Sequence, residues 1–408
     1  MYNDRGEKTE LGNKSSFRKL LVITLVDLLV LGLAFGAGFG TAYLLQQRGV
    51  LSSHNTNLDT FWEVWGLIEK DFIGTLPNSQ ARIYGAIRGS LASLNDPYTV
   101  FVEPQPHQRE TEDLRGSFGG IGVTMRRNAE GDLLLTPLPD SPALKAGIQD
   151  GDIMLEVDSQ PITPTMSFDA IAALVRGQVG TQVKITVRRM GQSEPLSFTI
   201  TRQVIDTPSV NSRILADSPQ IGYIVIDRFT ERTGSEVQTA IKALKQQGAT
   251  QIILDLRDNG GGLLDSAVDV ASQFIGEGVV LYEKQKGQDE RTFQVKPGGL
   301  ATDLPVVVLV NHATASASEI VAGALRDHQR ATLVGEQTYG KGSVQHIYDL
   351  ADGSSLHVTA AEWFTPNRHQ LTGNGLKPDI VVSRSSDDSA AGRDPQLDRA
   401  VAFLKEGK

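Results

Sequence analysis

The second half of the chain alternates between short apolar runs and amphipathic segments, and this alternation limits the fold more than any other feature. β-Branched and apolar residues at 221–226, 251–256 and 306–310 predict buried strands. Apolar residues at helical spacing predict helices at 234–246 and 264–274. Strands that alternate with helices pair in parallel and favour ligand sites at the carboxyl ends of the strands. We therefore predict a mostly parallel sheet with its functional residues at that edge.

A serine lies where the third of these strands turns into a helix. The stretch from Asn311 to Ser316 is small and polar, and helical spacing begins at 319–325. A hydroxyl at the start of a helix is close to backbone N–H groups that stabilise an oxyanion, which suits a nucleophile. The pair of Ser316 and Glu319 also matches the capping box, which needs no chemistry. This stretch alone is compatible with both roles.

A glycine-rich turn is expected at the same edge of the sheet. Arg257 to Gly262 follows the strand at 251–256, and consecutive glycines allow backbone N–H groups to approach a reacting atom closely. The same run is equally compatible with a simple turn between a strand and a helix. It lacks the spacing of a phosphate-binding loop, so we do not expect a bound nucleotide.

A lysine follows in a second glycine-rich turn. Lys341 lies between two glycines at the start of a strand predicted at 343–350. A lysine shielded from water loses its proton near neutral pH, because burial disfavours the charged ammonium. A solvated lysine without a role is the simpler alternative. Strand periodicity predicts that Gln345 shares a face with Lys341, and that His346 points away.

Residues 116–203 have a different pattern, with short alternating strands and one helix. Residues 141–152, followed by a strand, resemble the centre of a PDZ domain. The resemblance places the carboxylate-binding loop of that family at four residues, Gly119, Gly120, Ile121 and Gly122. Backbone N–H groups in such a loop bind a terminal carboxylate, and the peptide then adds as an extra strand along 121–125. Taken alone, the glycines are also compatible with ordinary turns.

Three motifs together resemble those of the carboxy-terminal processing, or tail-specific, peptidases. They are Thr314-Ala-Ser-Ala-Ser-Glu319, Gly340-Lys-Gly-Ser-Val-Gln345 and Asp255-Leu-Arg-Asp-Asn-Gly-Gly-Gly262. The resemblance covers nearly all of the chain after its N-terminal apolar segment. It implies that Ser316 is the nucleophile and that Lys341, 341 − 316 = 25 positions later, is the general base. A pair of serine and lysine forms an acyl-enzyme without histidine. Where many relatives have proline, this chain has Gly260.

The same resemblance implies roles for further residues. Gln345 matches the residue that orients the lysine. Asp327 matches a position assigned to a charge relay, although Arg326 beside it offers a structural partner. The implied oxyanion donors are backbone N–H groups, those of Ala317 and of Gly261 or Gly262. The implied fold is α/β, a crotonase-like or ClpP-like β-α core with an inserted, β-rich PDZ domain.

Composition removes several classes of function. The net charge of −9 over 408 residues and the lack of a basic stripe argue against a nucleic-acid partner. Cysteine is absent, which excludes disulfides, thiolate metal sites and a cysteine nucleophile. The seven histidines are scattered and form no metalloprotease motif, so we expect neither a metal nor a cofactor. The rival to a lysine base is a histidine-dependent triad, with His312 or His328 near the serine.

The N-terminal region predicts a membrane anchor. Residues 20–45 are almost wholly apolar and long enough to span a bilayer, and Lys14, Arg18 and Lys19 precede them. The positive-inside rule then keeps residues 1–19 in the cytoplasm. The catalytic part would lie outside it, in a periplasm, at the cell exterior or in a thylakoid lumen. A cleaved signal peptide is the alternative.

The remaining segments complete the predicted order of domains. Residues 51–115 are predicted as a helical segment, 116–203 as the PDZ domain, 204–383 as the peptidase core, and 384–408 as a polar linker with a short helix. The expected substrates are unstructured C-terminal tails of exported or membrane proteins. The N- and C-terminal helices suit a homodimer, and an adaptor protein is a further expected partner. Two rival functions are a PDZ scaffold with a silent core and a crotonase-like acyl-CoA enzyme.

Overall fold

The computed structural model describes residues 58–407. The predicted anchor at 20–45 and the segment before it lie outside the described residues, and no helix within residues 58–407 is long and apolar enough to cross a membrane. The chain divides into two units between Asn78 and Ser79. Helix α1 (Asp59–Asp71) lies in the first unit and confirms the helix predicted there.

The second unit contains the remaining elements. Its helices are α2 (Ser79–Ala92), α3 (Pro104–Arg115), α4 (Pro142–Ala146), α5 (Phe168–Val175), α6 (Thr233–Gln246), α7 (Leu264–Ala271), α8 (Ala317–Asp327), α9 (Ser386–Ala390) and α10 (Pro395–Glu406). The first strands are β1 (Val100–Val102), β2 (Ser117–Gly120), β3 (Val123–Arg127), β4 (Leu133–Pro137), β5 (Asp152–Val157), β6 (Gln160–Pro161), β7 (Gln182–Arg188), β8 (Leu196–Thr201) and β9 (Gln203–Asp206). The later strands are β10 (Val210–Leu215), β11 (Ser218–Ile226), β12 (Gln251–Asp255), β13 (Val279–Gln285), β14 (Arg291–Gln294), β15 (Val306–Val310), β16 (Ala331–Gly335), β17 (Ser343–Asp349), β18 (Ser355–Phe364) and β19 (Ile380–Val381).

A six-stranded sheet in the order β10-β11-β12-β15-β16-β19 forms the centre of the peptidase core. Neighbours from β11 to β19 pair in parallel, and β10 pairs antiparallel at one edge, which confirms the predicted mostly parallel sheet. Side chains of β15 point alternately to the two faces of the sheet, and each face is covered by helices. Val306, Val308 and Val310 pack with α6, α7 and α8, whereas Val307 and Leu309 pack with α10. Because both faces are covered, the strand is apolar throughout.

A second sheet has the order β1-β18-β13-β14, with β17 also paired to β18, and it is antiparallel throughout. The sequence predicted β17 and β18 but not β13 and β14, which mix charged and apolar side chains. Strand β1 lies within the segment predicted as helical. That segment is therefore only partly helical, because α2 and α3 flank a short strand that pairs with the distant β18.

The PDZ region forms the sheet β3-β4-β5-β7-β8, with β6 on β5, around its own core. This core runs from Ile121 to Ile200 and includes buried residues of α4 and α5. The predicted strands and helix are all present, although β3 begins at Val123, after Gly122 with a φ of +70°. Strand β3 is at the edge of this sheet, so its outer side has no partner strand within residues 58–407.

The C-terminal residues pack onto the parallel sheet. The predicted C-terminal helix is confirmed as α10, and Asp394 caps its first turn. The polar stretch before it was predicted as a linker, but it contains the helix α9 and is anchored at its end. Asp394 accepts hydrogen bonds from Arg257, which also binds Asp255, so one buried arginine joins β12 to α10.

Candidate active site

A cavity of about 440 Å³ lies where the carboxyl ends of the parallel strands meet the second sheet. Residues that follow β11, β12 and β15 line one part of it, including Gly260 to Gly262 and Ser316. The remainder comes from α3, β17, β18 and the turn before β17, which contains Lys341. The fold thus brings Ser316, Lys341 and the glycine turn into one cavity.

Ser316 occupies a sharp turn between β15 and α8. Its φ of +55° lies in the left-handed region, which serine seldom adopts. Three other helix-starting serines, Ser141, Ser167 and Ser385, have extended backbones, and each accepts a hydrogen bond from an N–H of its helix. An ordinary cap therefore does not require the conformation of Ser316. A strained turn that presents a hydroxyl at a helix N-terminus is the arrangement of a nucleophile.

Asn259 holds the glycine turn against the serine turn. Its side-chain oxygen accepts from the Gly261 N–H at 2.8 Å, and its side-chain amide donates to the Ile226 oxygen at 2.7 Å. Its backbone oxygen accepts from the Ala315 N–H at 3.0 Å and from the Ser318 hydroxyl at 2.9 Å. The second serine of the motif is therefore buried and bound inside the protein. Of the two motif serines, only the first lines the cavity.

Backbone N–H groups beside the serine define the candidate oxyanion site. A Cβ on Gly261 would lie 2.9 Å from the nitrogen of Ala317, so glycine permits this close approach. Of the two predicted glycines, Gly261 lies against the serine turn, but its N–H already donates to Asn259. No acceptor for the Gly262 N–H is present in the described part of the chain. Ala317 is the first residue of α8, and such an N–H has no acceptor within its own helix.

Close backbone packing holds Lys341 beside the cavity. It lies between Gly340 and Gly342, in the turn just before β17. A Cβ on Gly340 would come within 2.8 Å of the Leu371 oxygen, so a larger residue there would displace the turn. Burial lowers the pKa of the Lys341 ammonium, and the carboxylate of Glu110 partly opposes this shift. An amine with a lowered pKa is a candidate general base.

Two aromatic residues complete the surroundings of the lysine. Its Nζ lies 5.1 Å from the centre of the Tyr98 ring, and the indole of Trp363 donates to the Lys341 backbone oxygen at 3.1 Å. A hydrogen bond to Tyr339 and burial raise the pKa of Tyr98 to about 12, so its hydroxyl stays protonated at neutral pH. No local pattern in the sequence predicts either contact, since both aromatics come from distant segments.

Glu319 connects the serine turn to the lysine turn. This carboxylate is completely buried, and its Oε2 accepts from the backbone N–H groups of Ser316 and Lys341, both at 2.9 Å. Its Oε1 accepts from the Thr338 hydroxyl and from the Gly340 N–H at 2.8 Å. Four donors offset the cost of burying one charge. Sequence reasoning assigned Glu319 only to a cap, and it missed the contacts that fix the two turns relative to each other.

Gln345 lines the cavity with Lys341, but not for the reason that the sequence suggested. The prediction of a shared strand face was wrong, because β17 begins at Ser343 and a bulge interrupts it between Val344 and Gln345. The side-chain amide of Gln345 donates to the Ser343 hydroxyl at 3.1 Å. His346, which was predicted to point away, is not among the residues that line the cavity.

Asp327 lies at the opposite end of α8 from Ser316. A helix rises about 1.5 Å per residue, so the two are roughly 16 Å apart along its axis. Asp327 accepts the Asn367 N–H at 2.9 Å and lies 3.7 Å from the Arg326 side chain. It does not line the cavity. These contacts correspond to the structural alternative, and the charge-relay role has no contact to support it among the described residues.

The two histidines considered as alternative bases do not line the cavity. His312 is exposed and lies 3.8 Å from the Glu336 carboxylate. The Nε2 of His328 donates a hydrogen bond to the backbone oxygen of Val279 at 2.8 Å. A different histidine, His357 of β18, lines the cavity. Sequence reasoning treated it only as part of a strand, because its proximity depends on the antiparallel sheet.

The predicted carboxylate loop of the PDZ region forms the turn from β2 into the edge strand β3. Gly119 and Gly120 end β2, where they pair with β9. Ile121 is buried, and its backbone oxygen accepts the Ala143 N–H at 2.9 Å. Gly122 completes the turn with its positive φ. The four residues are therefore contiguous with the strand along which a peptide is predicted to add.

The fold and the cavity together define a mixed α/β peptidase core with an inserted PDZ domain. Comparison with protein families matches residues 220–382 to Peptidase family S41 and residues 135–189 to the PDZ domain. A carboxy-terminal-processing protease of Bartonella bacilliformis is 34% identical over 371 residues, which cover 89% of this chain and 84% of that protein. A carboxyl-terminal-processing protease of Synechocystis is 38% identical over 324 residues, which cover 78% of this chain and 75% of that protein.

Among solved structures, a photosystem II D1 C-terminal processing protease is 32% identical. The match has a TM-score of 0.45 and covers 78% of this chain and 86% of that chain. The chain belongs to peptidase family S41 and is a carboxyl-terminal-processing serine peptidase with a PDZ domain.

Proposed function

We propose that Ser316 and Lys341 cleave peptide bonds through an acyl-enzyme. The observation that carries this proposal is their position on one cavity, with Ser316 on a strained turn and the pKa of Lys341 lowered by burial. The neutral amine of Lys341 takes the proton of the Ser316 hydroxyl, and the serine oxygen attacks the scissile carbonyl. The lysine then returns the proton to the leaving amine. Water, activated by the same amine, releases the acyl group from the serine.

The supporting groups act on charge and orientation. The N–H groups of Ala317 and Gly262 donate to the oxygen that becomes negative after attack. Gln345 orients the lysine from its place in the cavity. Glu319 acts as a positioning residue that sets the distance between the two turns. Parallel β-α units and glycine N–H groups of this kind fit a core of the crotonase-like or ClpP-like type.

The substrate tail is proposed to bind to the PDZ domain. In a trans peptide the N–H of each residue points opposite to the preceding carbonyl. The carbonyl of Ile121 faces Ala143, and that of Gly122 accepts the Leu138 N–H, so the next N–H groups, on Gly122 and Val123, point away from these contacts. They are available to a terminal carboxylate, and the free edge of β3 accepts the tail as an added strand.

The location follows from the N-terminal sequence. We propose that residues 20–45 anchor the chain in a membrane and that the peptidase acts outside the cytoplasm on exported or membrane proteins. The length and apolar character of that segment and the preceding Lys14, Arg18 and Lys19 support this location. A homodimer and an adaptor protein remain proposed partners.

Incubation of the full-length chain, purified in detergent, with peptides that differ only at the C-terminal residue tests this function. We expect cleavage near the C-terminus, with a rate that depends on the last residue. Ser316→Ala and Lys341→Ala should each reduce kcat by at least about a thousandfold, because removing one member of such a pair removes nearly all of its catalysis. Ser386→Ala and Lys377→Ala, at exposed positions away from the cavity, should cleave at the parent rate.

The outcome separates the rival functions. No cleavage by the parent chain, with tail binding retained, would indicate the silent PDZ scaffold. Unchanged cleavage by either the Ser316 or the Lys341 variant would exclude the pair. Turnover of an acyl-CoA thioester in place of a peptide would indicate the crotonase-like enzyme.

A further inference from the structure

Two histidines and a glutamate that are far apart in the sequence come together beside the active-site cavity. His107 and Glu110 lie three residues apart on α3, hence on one helical face. His357 reaches the same place from β18. Each side chain offers a ligand atom, and these atoms lie within 4.8 Å of one another. Sequence reasoning expected no metal site, because it had only the spacing along the chain to judge by.

His107 has a free nitrogen inside the protein. Its Nε2 lies 2.9 Å from a carboxylate oxygen of Asp349. Its Nδ1 is buried and has no hydrogen-bond partner within residues 58–407. A buried polar atom without a partner is costly, and a ligand is one explanation for it. Histidines that bind metals commonly donate their second ring N–H to a carboxylate, as His107 does to Asp349.

The other two ligands already face each other. The Nε2 of His357 lies 3.4 Å from the Glu110 carboxylate and 3.2 Å from the Ser355 hydroxyl. His357 itself is buried.

We propose that His107, Glu110 and His357 bind one divalent transition-metal ion of the zinc class. Two imidazoles and one carboxylate suit zinc, whereas magnesium and calcium prefer oxygen ligands. Zinc bonds to such ligands are about 2.0–2.2 Å long, so the three ligand atoms have to lie roughly 3.3 Å apart. The pair of His357 and Glu110 is already at 3.4 Å, and the third ligand atom lies within 4.8 Å of both.

The position of the ion indicates what it does. Glu110 and His357 line the cavity that also contains Ser316 and Lys341. Three protein ligands leave a fourth position for water, and an ion with its water reduces the space beside the lysine. A bound ion therefore inhibits the peptidase. This consequence rests on the proposed function of Ser316 and Lys341, whereas metal binding itself does not.

Isothermal titration calorimetry tests the site, with the untagged full-length chain that has been freed of metal by a chelator. We expect ZnCl₂ to bind with one ion per chain and MgCl₂ not to bind. His107→Ala and His357→Gln should weaken zinc binding by at least about 100-fold, and Asp349→Ala by about 10-fold, the cost expected for losing the partner of a ligand. His312→Ala, at an exposed histidine outside the cluster, should bind zinc like the parent. No zinc binding, or equal binding by the His107 and His357 variants, would overturn the site.

Peptide cleavage tests the consequence. Zinc should inhibit the parent and the His312→Ala variant, and added chelator should restore the rate. The His107→Ala variant, compared with its own metal-free rate, should need at least about 100-fold more zinc for the same inhibition. If zinc inhibits the His107→Ala and His312→Ala variants at the same concentration, the inhibitory role of this site is overturned. If the metal-free chain does not cleave peptides, the proposed function fails, while titration still decides the metal site.

Discussion

The Lys341 amine has to lose its own proton before it can accept that of Ser316. Burial lowers its pKa, and Glu110 partly opposes this effect. With a chelator present, kcat/KM should therefore rise with pH to a plateau, with an apparent pKa below the ordinary lysine value of 10.5. His357 also faces the lysine, and a second, weaker step at its own pKa is compatible with this profile.

The carboxylate of Glu110 provides a test of this dependence. Glu110→Gln removes a negative charge that raises the pKa of Lys341, so the rise in kcat/KM should move to lower pH. The control is Glu277→Gln, an exposed glutamate far from the cavity lining, which should leave the profile in place. If the kcat/KM profile of Glu110→Gln stays in place or moves to higher pH, this carboxylate does not raise the pKa of Lys341.

Burial of Lys341 has an expected cost in stability. Its folded pKa lies below its unfolded pKa, so folding is penalised at any pH where the unfolded lysine is protonated. Lys341→Met should therefore raise the Tm at pH 7, by on the order of 2 °C. The gain should shrink as the pH rises through 10.5, because above that value the lysine is neutral in both states. Lys242→Met, at an exposed lysine, should show no such gain. A Lys341→Met chain less stable than the parent at pH 7 would contradict the depressed pKa.

Short motifs carried the prediction of Ser316, Lys341 and the glycine turn, because each stands at the end or the start of a readable strand. The partners of Lys341 were not predictable in this way. Tyr98 and Glu110 lie far upstream, and only the tertiary fold brings them to the lysine. For Asp327 the opposite holds. The motif suggested a role in the site, but the residue lies at the far end of α8 and does not line the cavity.

At the scale of elements, Glu319 joins the start of α8 to the turn before β17. Glu319→Gln keeps the shape of the side chain but replaces one carboxylate oxygen with an NH₂ group. This group cannot accept the backbone N–H hydrogen bonds that the carboxylate accepts. The relative position of Ser316 and Lys341 should loosen, and misplacement of about 1 Å costs roughly 100-fold in rate. We expect kcat to fall by that factor with little change in KM. The free energy of unfolding should fall by about 2–4 kcal/mol.

A second buried glutamate provides the matched control for that prediction. Glu283 in β13 is also buried, but it pairs with Arg291 and does not line the cavity. Glu283→Gln should lower stability while leaving kcat at the parent value. If both variants lose activity in proportion to their loss of stability, Glu319 has no positioning role.

Elements with a strong local pattern were predicted, and those that depend on long-range pairing were not. Strands β11, β12 and β15 are continuous apolar runs, because both of their faces are buried. Strands β1, β13 and β14 are short or half exposed, and they form only because β18 pairs with two of them. On the side of the cavity that the second sheet provides, sequence reasoning found Lys341 and Gln345 through a motif, but it missed Glu110 and His357, whose positions depend on long-range pairing.

At the scale of the whole molecule, the PDZ domain and the peptidase core should act on the same substrate chain. A peptide with a free C-terminal carboxylate should be cleaved with a kcat/KM at least about 10-fold higher than the same peptide with a C-terminal amide, because only the carboxylate binds the N–H groups of the loop. A peptide too short to reach β3 from the cavity should be cleaved equally in both forms. Equal cleavage of the long pair would show that the tail carboxylate is not recognised.

Covalent labelling of the serine is the most direct test of the proposed pair. The full-length chain is treated with a serine-reactive phosphonate at a series of pH values, and the modified residue is located by mass spectrometry. We predict one adduct, on Ser316, with a labelling rate that falls as Lys341 becomes protonated and that is lost in Lys341→Ala but kept in Lys377→Ala. An adduct on another residue, or labelling of Ser316 at the same rate without the Lys341 amine, would contradict the account.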